Sequence, residues 1–298
     1  MSRYLIYFTV FLVALFYAHF ALATPEKKVG ILILARGIDP PGEVSVWDKH
    51  VIEAVKPIQE AYDVELFFGM DDKALQEAVN RLEARGAERI LAVPLYISSH
   101  SPVVQKLQYY LGVIPVPPER QNEIKPITVK ADLHMTHAIE HDPLAAEIVF
   151  DRAREISTNP SRETVVLVGH GPLTKVSETM WLRSMWTLAS FTKEMGGFKE
   201  AKVATVMFGA PPEIKEKATK DLRALIEEES KDGTVLVIPC MIAPGGIEGM
   251  LEEQLQGLTF RFGRPYLPHG NVTKWLRAEI EGSLRRWERE EKGSTPSP

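Results

Sequence analysis

Val165-Val166-Leu167-Val168-Gly169-His170-Gly171 reads as a buried strand that runs into a histidine held between two glycines. The run Ile31-Leu32-Ile33-Leu34-Ala35-Arg36-Gly37 has the same pattern 134 positions earlier. Runs this continuously apolar suit strands covered on both faces, as in a parallel sheet. Working outward, Val29 to Ala35, Val64 to Gly69, Ile90 to Ile97 and Ile127 to Ala131 make a first set of strands, and Val165 to Gly169, Val203 to Phe208 and Val235 to Ile242 a second. Between them Ala74, Leu75, Ala78, Val79 and Leu82 recur at helical spacing, as do Ile214, Ala218, Leu222, Leu225 and Ile226. Strands alternating with helices predict an α/β fold with right-handed crossovers.

Two further stretches repeat in the same order. Leu91-Ala92-Val93-Pro94-Leu95-Tyr96-Ile97 matches Leu236-Val237-Ile238-Pro239-Cys240-Met241-Ile242 at an offset of 145, and His141-Asp142-Pro143-Leu144 matches His269-Gly270-Asn271-Val272 at 128. Three anchors in one order predict two copies of one unit. The seam is expected near Ser157 to Glu163, where Asn159-Pro160-Ser161 breaks a helix, giving lobes at 24–158 and 159–291. The tail 292–298 has nothing apolar to bury and is expected to fray. At the other end, Arg3 precedes an apolar run from Tyr4 to Phe20, and Ala21-Leu22-Ala23 offers a small-residue cleavage site. Residues 1–23 therefore read as a secretory signal, which predicts an exported, periplasmic protein with no stable membrane anchor after cleavage.

Composition excludes several classes. The 298 residues hold 35 Lys+Arg against 40 Asp+Glu, a formal net charge of −5, and no basic cluster is denser than the Arg285-Arg286 pair on an otherwise acidic helix, so nucleic acid is no expected partner. The one cysteine, Cys240, lies in an apolar run and is expected to be a buried, inert thiol.

Ligands of open α/β sheets bind outside the carboxyl ends of the strands. The residues just past each run are Arg36 and His170 after the first strand of each half, then Ser98-Ser99-His100 and Pro244-Gly245-Gly246-Ile247-Glu248 after the proline-containing strand. The glycines around His170 leave its imidazole unshielded, and Glu248 opens a helix where the dipole favours its charge. An imidazole and a carboxylate at two strand ends suit either a borderline divalent ion or a proton-removing pair.

The strand ending in Gly169-His170-Gly171, the Ile238-Pro239 strand with its Gly245-Gly246 loop, and Tyr266-Leu267-Pro268-His269 before a helix resemble the sirohydrochlorin cobaltochelatase family of type II chelatases. Ala35-Arg36-Gly37, Val93-Pro94-Leu95 with His100, and His141 repeat that series in the first half. The resemblance implies two tandem lobes, each a four-stranded parallel sheet flanked by helices. It also implies insertion of Co2+, or Fe2+ or Ni2+, into sirohydrochlorin or a related tetrapyrrole without ATP or other nucleotide. The family pairs two histidines in one half, whereas Arg36 stands at the first place here and His100 remains at the second, and an arginine cannot ligate a metal. The second half is similar instead to ferrochelatase, which implies His170 and Glu248 as its metal and catalytic pair, while His100 of the first half reads either as a third ligand reaching across the crevice or as a leftover. Arg36, Lys175 and Arg183 are the cations expected to meet substrate carboxylates. The rival reading is a non-catalytic tetrapyrrole- or metal-binding protein on the same scaffold.

Other features have plainer readings. His134, His137 and His141 look like metal spacing, but the helix break at Asp142-Pro143 spoils a common face. Met180, Trp181, Met185 and Trp186 could floor a flat macrocycle, although such a stripe is usually core. Neither a Walker lysine nor Gly-x-Gly-x-x-Gly supports a phosphate site at Gly169-His170-Gly171.

Overall fold

The computed structural model describes residues 28–37, 45–118, 124–172 and 174–294, so the expected leader at 1–23 lies outside the described residues. No described helix is long and apolar enough to cross a membrane. In chain order the first half contains β1 (Val29–Ala35), α1 (Val46–Gln59), β2 (Asp63–Phe68), α2 (Asp72–Ala84), β3 (Arg89–Pro94), α3 (Pro102–Tyr110), β4 (Asp132–Met135) and α4 (Pro143–Ile156). The second half contains β5 (Glu163–Gly169), α5 (Lys175–Gly196), β6 (Glu200–Thr205), α6 (Pro212–Ser230), β7 (Thr234–Cys240), α7 (Gly246–Gln254), β8 (Arg261–Phe262) and α8 (Gly270–Ser294).

Each half builds one four-stranded parallel sheet, in the order β2-β1-β3-β4 and β6-β5-β7-β8. The architecture is therefore α/β with two tandem lobes, each a four-stranded parallel sheet flanked by helices. The apolar runs of the central strands β1, β3, β5 and β7 are buried on both faces, as continuous runs require. Leu32 and Leu34 face α2 and α3, Val166 and Val168 face α6 and α7, and the opposite faces of both sheets join one continuous core with α1, α4, α5 and α8.

That shared core arises because the last helix of each half packs on the other half. Helix α4 lies against α5 and β7, while α8 lies against α1 and β3. Along α8, Thr273 Oγ1 donates to Ala54 O at 2.9 Å and Arg277 Nη2 to Pro57 O at 3.1 Å. Further along, the Trp287 ring stacks on His134 at 3.9 Å and lies 5.3 Å from the Arg89 guanidinium carbon. The chain thus passes between the lobes twice. At both passages two backbone amides pair with the end of the neighbouring strand: Ile139 and Glu140 with Tyr96 and Ile97, and Tyr266 and Leu267 with Met241 and Ile242.

Two expectations are corrected, and one strand went unread. The strand expected at Ile127 to Ala131 forms instead at Asp132–Met135. Side chains of α2 take up the earlier backbone: Gln76 both accepts from Thr128 N and donates to Thr128 O at 2.8 Å, and Glu83 accepts from Lys130 N and Ala131 N at 2.6 and 3.1 Å. Those groups cannot also pair with β3. The two-residue β8 carries too short a pattern to have been read from sequence. Helix α8 runs on to Ser294, into the tail expected to fray, because extending a formed helix costs far less than nucleating one.

Candidate functional site

The carboxyl end of β5 presents His170, most of whose ring is buried. Its Nδ1 lies 2.9 Å from Gly171 O, and since a carbonyl only accepts, Nδ1 carries the proton and Nε2 keeps its lone pair. Gly171 has φ 81°, and a Cβ there would sit 2.6 Å from Met207 Sδ, so only glycine lets the chain turn under the imidazole. Phe208 packs edge-on against the ring, with centroids 5.6 Å apart. Burial pushes the His170 pKa down; the Gly171 bond opposes this, and the positive charge of Arg36 adds to it. Arg36 immediately follows β1 in the other lobe, near enough for its charge to act on His170.

The sign of that shift has a consequence for pH. The unfolded chain binds this proton more readily than the folded one, so His170 takes stability away as pH falls through 6.5. Its ring proton resonance, followed by NMR, is expected to titrate with a midpoint below 6.5; a midpoint at or above that value contradicts the burial argument.

Glu248 is the third residue of α7, and its Oε2 accepts from Gly245 N at 2.7 Å in a capping box. Its Oε1 is buried with no hydrogen-bond partner. Burial raises its pKa, backbone hydrogen bonds hold the rise back, and the charge of Glu252 adds to it. An orphaned buried carboxylate oxygen is costly unless a proton or a cation satisfies it. No hydrogen bond joins Glu248 to His170, and no cluster of three His, Cys, Asp or Glu side chains placed to hold a metal occurs among the described residues.

The remaining expected residues sit on several elements of both lobes. His100 is half-buried at the end of the β3 loop, where its backbone N donates to Ser98 Oγ at 3.2 Å. Arg36 is exposed at the cleft, and its charge also reaches Tyr96, whose buried hydroxyl has no partner. Lys175 is the first residue of α5, its side chain lying outside the described residues, and Arg183 is exposed farther along the same helix. The three histidines do not converge: His134 stacks on Trp287, while His141 Nδ1 lies 3.3 Å from Ser184 Oγ. The Met and Trp stripe splits, with Trp181 and Met185 buried against Gly169 and Met180 and Trp186 exposed. Cys240 is free and buried, and burial pushes its thiol up to about 12.

Sequence reasoning passed over Phe208, although the rule that singled out His170 applies equally to the end of β6. Phe208 also walls a groove of about 790 Å³ along α6, lined by Lys215, Lys220 and Arg223 among others.

Residues 30–156 match the family model of CbiX, the sirohydrochlorin cobaltochelatase type. The matched segment is the first lobe, which is similar to that family. Among solved structures, the chelatase-like fold covers 85% of this chain and 94% of SirB from Bacillus subtilis with Fe3+, at a TM-score of 0.61 and 15% identity. It also covers 85% of this chain against DR2241 from Deinococcus radiodurans, a multi-domain protein with structural similarity to chelatases and two additional novel domains, at a TM-score of 0.55 and 17% identity. The chain spans 54% of that second protein. No curated protein matches the sequence. The CbiX match includes Arg36 and His100.

Proposed function

We propose that this chain inserts a divalent metal, Co2+ or alternatively Fe2+ or Ni2+, into sirohydrochlorin or a related tetrapyrrole without nucleotide, and does so as an exported protein after loss of residues 1–23. The observation that carries the reading is His170, neutral and with a free Nε2 lone pair at a strand end that faces the cleft. A neutral imidazole is a good donor for such ions. In this reading His170 holds the incoming ion, and the unpartnered Oε1 of Glu248, whose proton affinity is raised by burial, accepts a pyrrole proton. Arg36 pairs with a substrate carboxylate.

The test is a metal-insertion assay on the mature chain, following sirohydrochlorin absorbance with Co2+. A rate no faster than the spontaneous reaction, with tight tetrapyrrole binding retained, would favour the second reading, a binding protein on a chelatase scaffold. That reading draws its support from Arg36 at a ligand place and from the lack of any bond between His170 and Glu248. N-terminal sequencing of the envelope fraction tests export, and a chain starting at Met1 in the cytosol would refute it.

Glu248→Gln keeps the shape of the side chain but removes its basicity. Insertion is expected to fall roughly 10²-fold while tetrapyrrole affinity changes little. His100→Ala is expected to do less, and equal or greater damage from His100→Ala would move the site to one shared between the lobes. Arg36→His removes a charge-assisted hydrogen bond from an exposed position, so a tetrapyrrole titration should weaken by about 1.5 kcal/mol, roughly tenfold, with little gain in Co2+ binding. Unchanged affinity would make Arg36 a bystander.

A further inference from the structure

Among the described residues only Glu140 and Met207 have positive φ without being glycine, at 46° and 50°. A glutamate gains nothing locally from the left-handed region, since its side chain is too long for the short-range bonds that let asparagine or aspartate sit there. Such a conformation persists where surrounding contacts over-determine it. Glu140 lies in the first passage between the lobes, its backbone N bonded to Ile97 O at 3.0 Å. Its Oε1 accepts from the backbone N of Ser99 at 2.5 Å, and Ser99 Oγ accepts from Ala138 N at 2.9 Å. Three bonds therefore stitch the loop that carries His100 to the Ala138–Glu140 segment. Ser99 is buried, so without the carboxylate its amide would be a donor in need of a partner. The charge of Glu140 also reaches Tyr266 in the other lobe. At the corresponding point of the second passage stands Leu267, which can supply no such bond.

We propose that Glu140 is a positioning residue for His100, its carboxylate holding the Ser98–Ser101 loop so that the imidazole meets a divalent cation in the cleft. The strained backbone is what lets the carboxylate reach Ser99 N. The proposal rests on the reading above in which His100 is the third metal ligand.

The experiment uses the mature chain with Co2+ alone, comparing wild type, Glu140→Gly, Glu140→Gln, His100→Ala and the double variant Glu140→Gly/His100→Ala. Three quantities are read: the melting temperature, hydrogen exchange of the peptide spanning Ile97 to Ser101, and Co2+ affinity from its visible absorption. Glu140→Gly relieves the strained backbone and is expected to melt no lower than wild type. Its loop peptide should exchange at least about tenfold faster, as the loss of one held bond implies, and its Co2+ affinity should fall by the same factor as in His100→Ala. The double variant should be no worse than either single one, because two residues acting as one unit do not add. Glu140→Gln, which keeps an acceptor oxygen, should restore the loop's protection. If Glu140→Gly does not fold, Glu140→Asn, which tolerates the left-handed region, takes its place.

Losses that multiply in the double variant, or wild-type Co2+ affinity in Glu140→Gly beside a weakened His100→Ala, would overturn the proposal. If wild type binds no Co2+ at all, the chelatase reading fails by itself. Loop exchange then decides separately: a tenfold acceleration in Glu140→Gly supports the positioning role, and unchanged exchange refutes it.

Discussion

His170→Ala is expected to abolish saturable Co2+ binding and metal insertion together, while the chain still folds. The ring's Nδ1 is committed to Gly171 O, which leaves Nε2 as its one lone pair, and no other imidazole contacts it among the described residues. Losing a partner that merely orients a ligand already costs roughly 10–100-fold in metal affinity, so losing the donor itself should exceed that. Folding is spared because the strand beneath is anchored by Val165 to Val168, all buried, rather than by the ring. Calorimetric titration with Co2+ and the absorbance assay read the two effects on one preparation. Retained insertion with weakened binding would show that the ion enters by another donor and would remove His170 from the role given to it here.

His170 was legible because the physics that makes it visible is local. A continuous apolar strand is followed by a glycine-flanked polar residue, and ligand crevices open at that end of a parallel sheet. The same logic gave Arg36 and the two-lobed repeat, since each strand writes its own burial into consecutive residues. What could not be read was where non-local partners lie. Val272, Trp275, Leu276 and Ile280 announce a buried face on α8, but only the fold shows that this face covers α1 and β3 of the other half. Ile127 to Ala131 has strand-like residues, and its pairing was lost to Gln76 and Glu83, two polar side chains some fifty positions away. Glu140 carried no signal at all, because a positive φ on a glutamate is imposed by its surroundings. Glu248 was read as a helix-start carboxylate, and its Oε2 caps the helix, while Oε1 is left without a donor, a detail no sequence pattern carries.

The largest stability effect is expected at a residue that takes no part in the chemistry. Arg152 on α4 is only 1% exposed, and its guanidinium donates to Pro265 O at 2.7 Å, Tyr266 O at 2.8 Å and Pro268 O at 2.6 Å, with Nη1 on Glu155 Oε1 at 2.6 Å. Burial pushes its pKa down and the Glu155 charge opposes this, so the ion stays charged among carbonyls that have few other donors. Arg152→Ala leaves the three carbonyls without their partner inside the protein, while Glu155 keeps its bonds to Arg264, and the unsatisfied buried acceptors together cost about 3–5 kcal/mol. Arg152→Lys should recover less than half of this, because three donors at one point cannot match a planar fork spread over three carbonyls. Chemical denaturation of the three proteins measures the difference, and a loss below about 1 kcal/mol in Arg152→Ala, within the range of an ordinary surface ion pair, would refute the argument. The bonded segment is the second passage between the lobes and leads directly into α8, which closes the first lobe through Thr273 and Arg277. A helix from the first half thus fixes the route by which the second half returns to cover the first. Because β5 and the His170 loop take none of these bonds, the variant that remains folded should bind Co2+ as wild type does, so that damage to the scaffold and damage to the site separate in one pair of measurements.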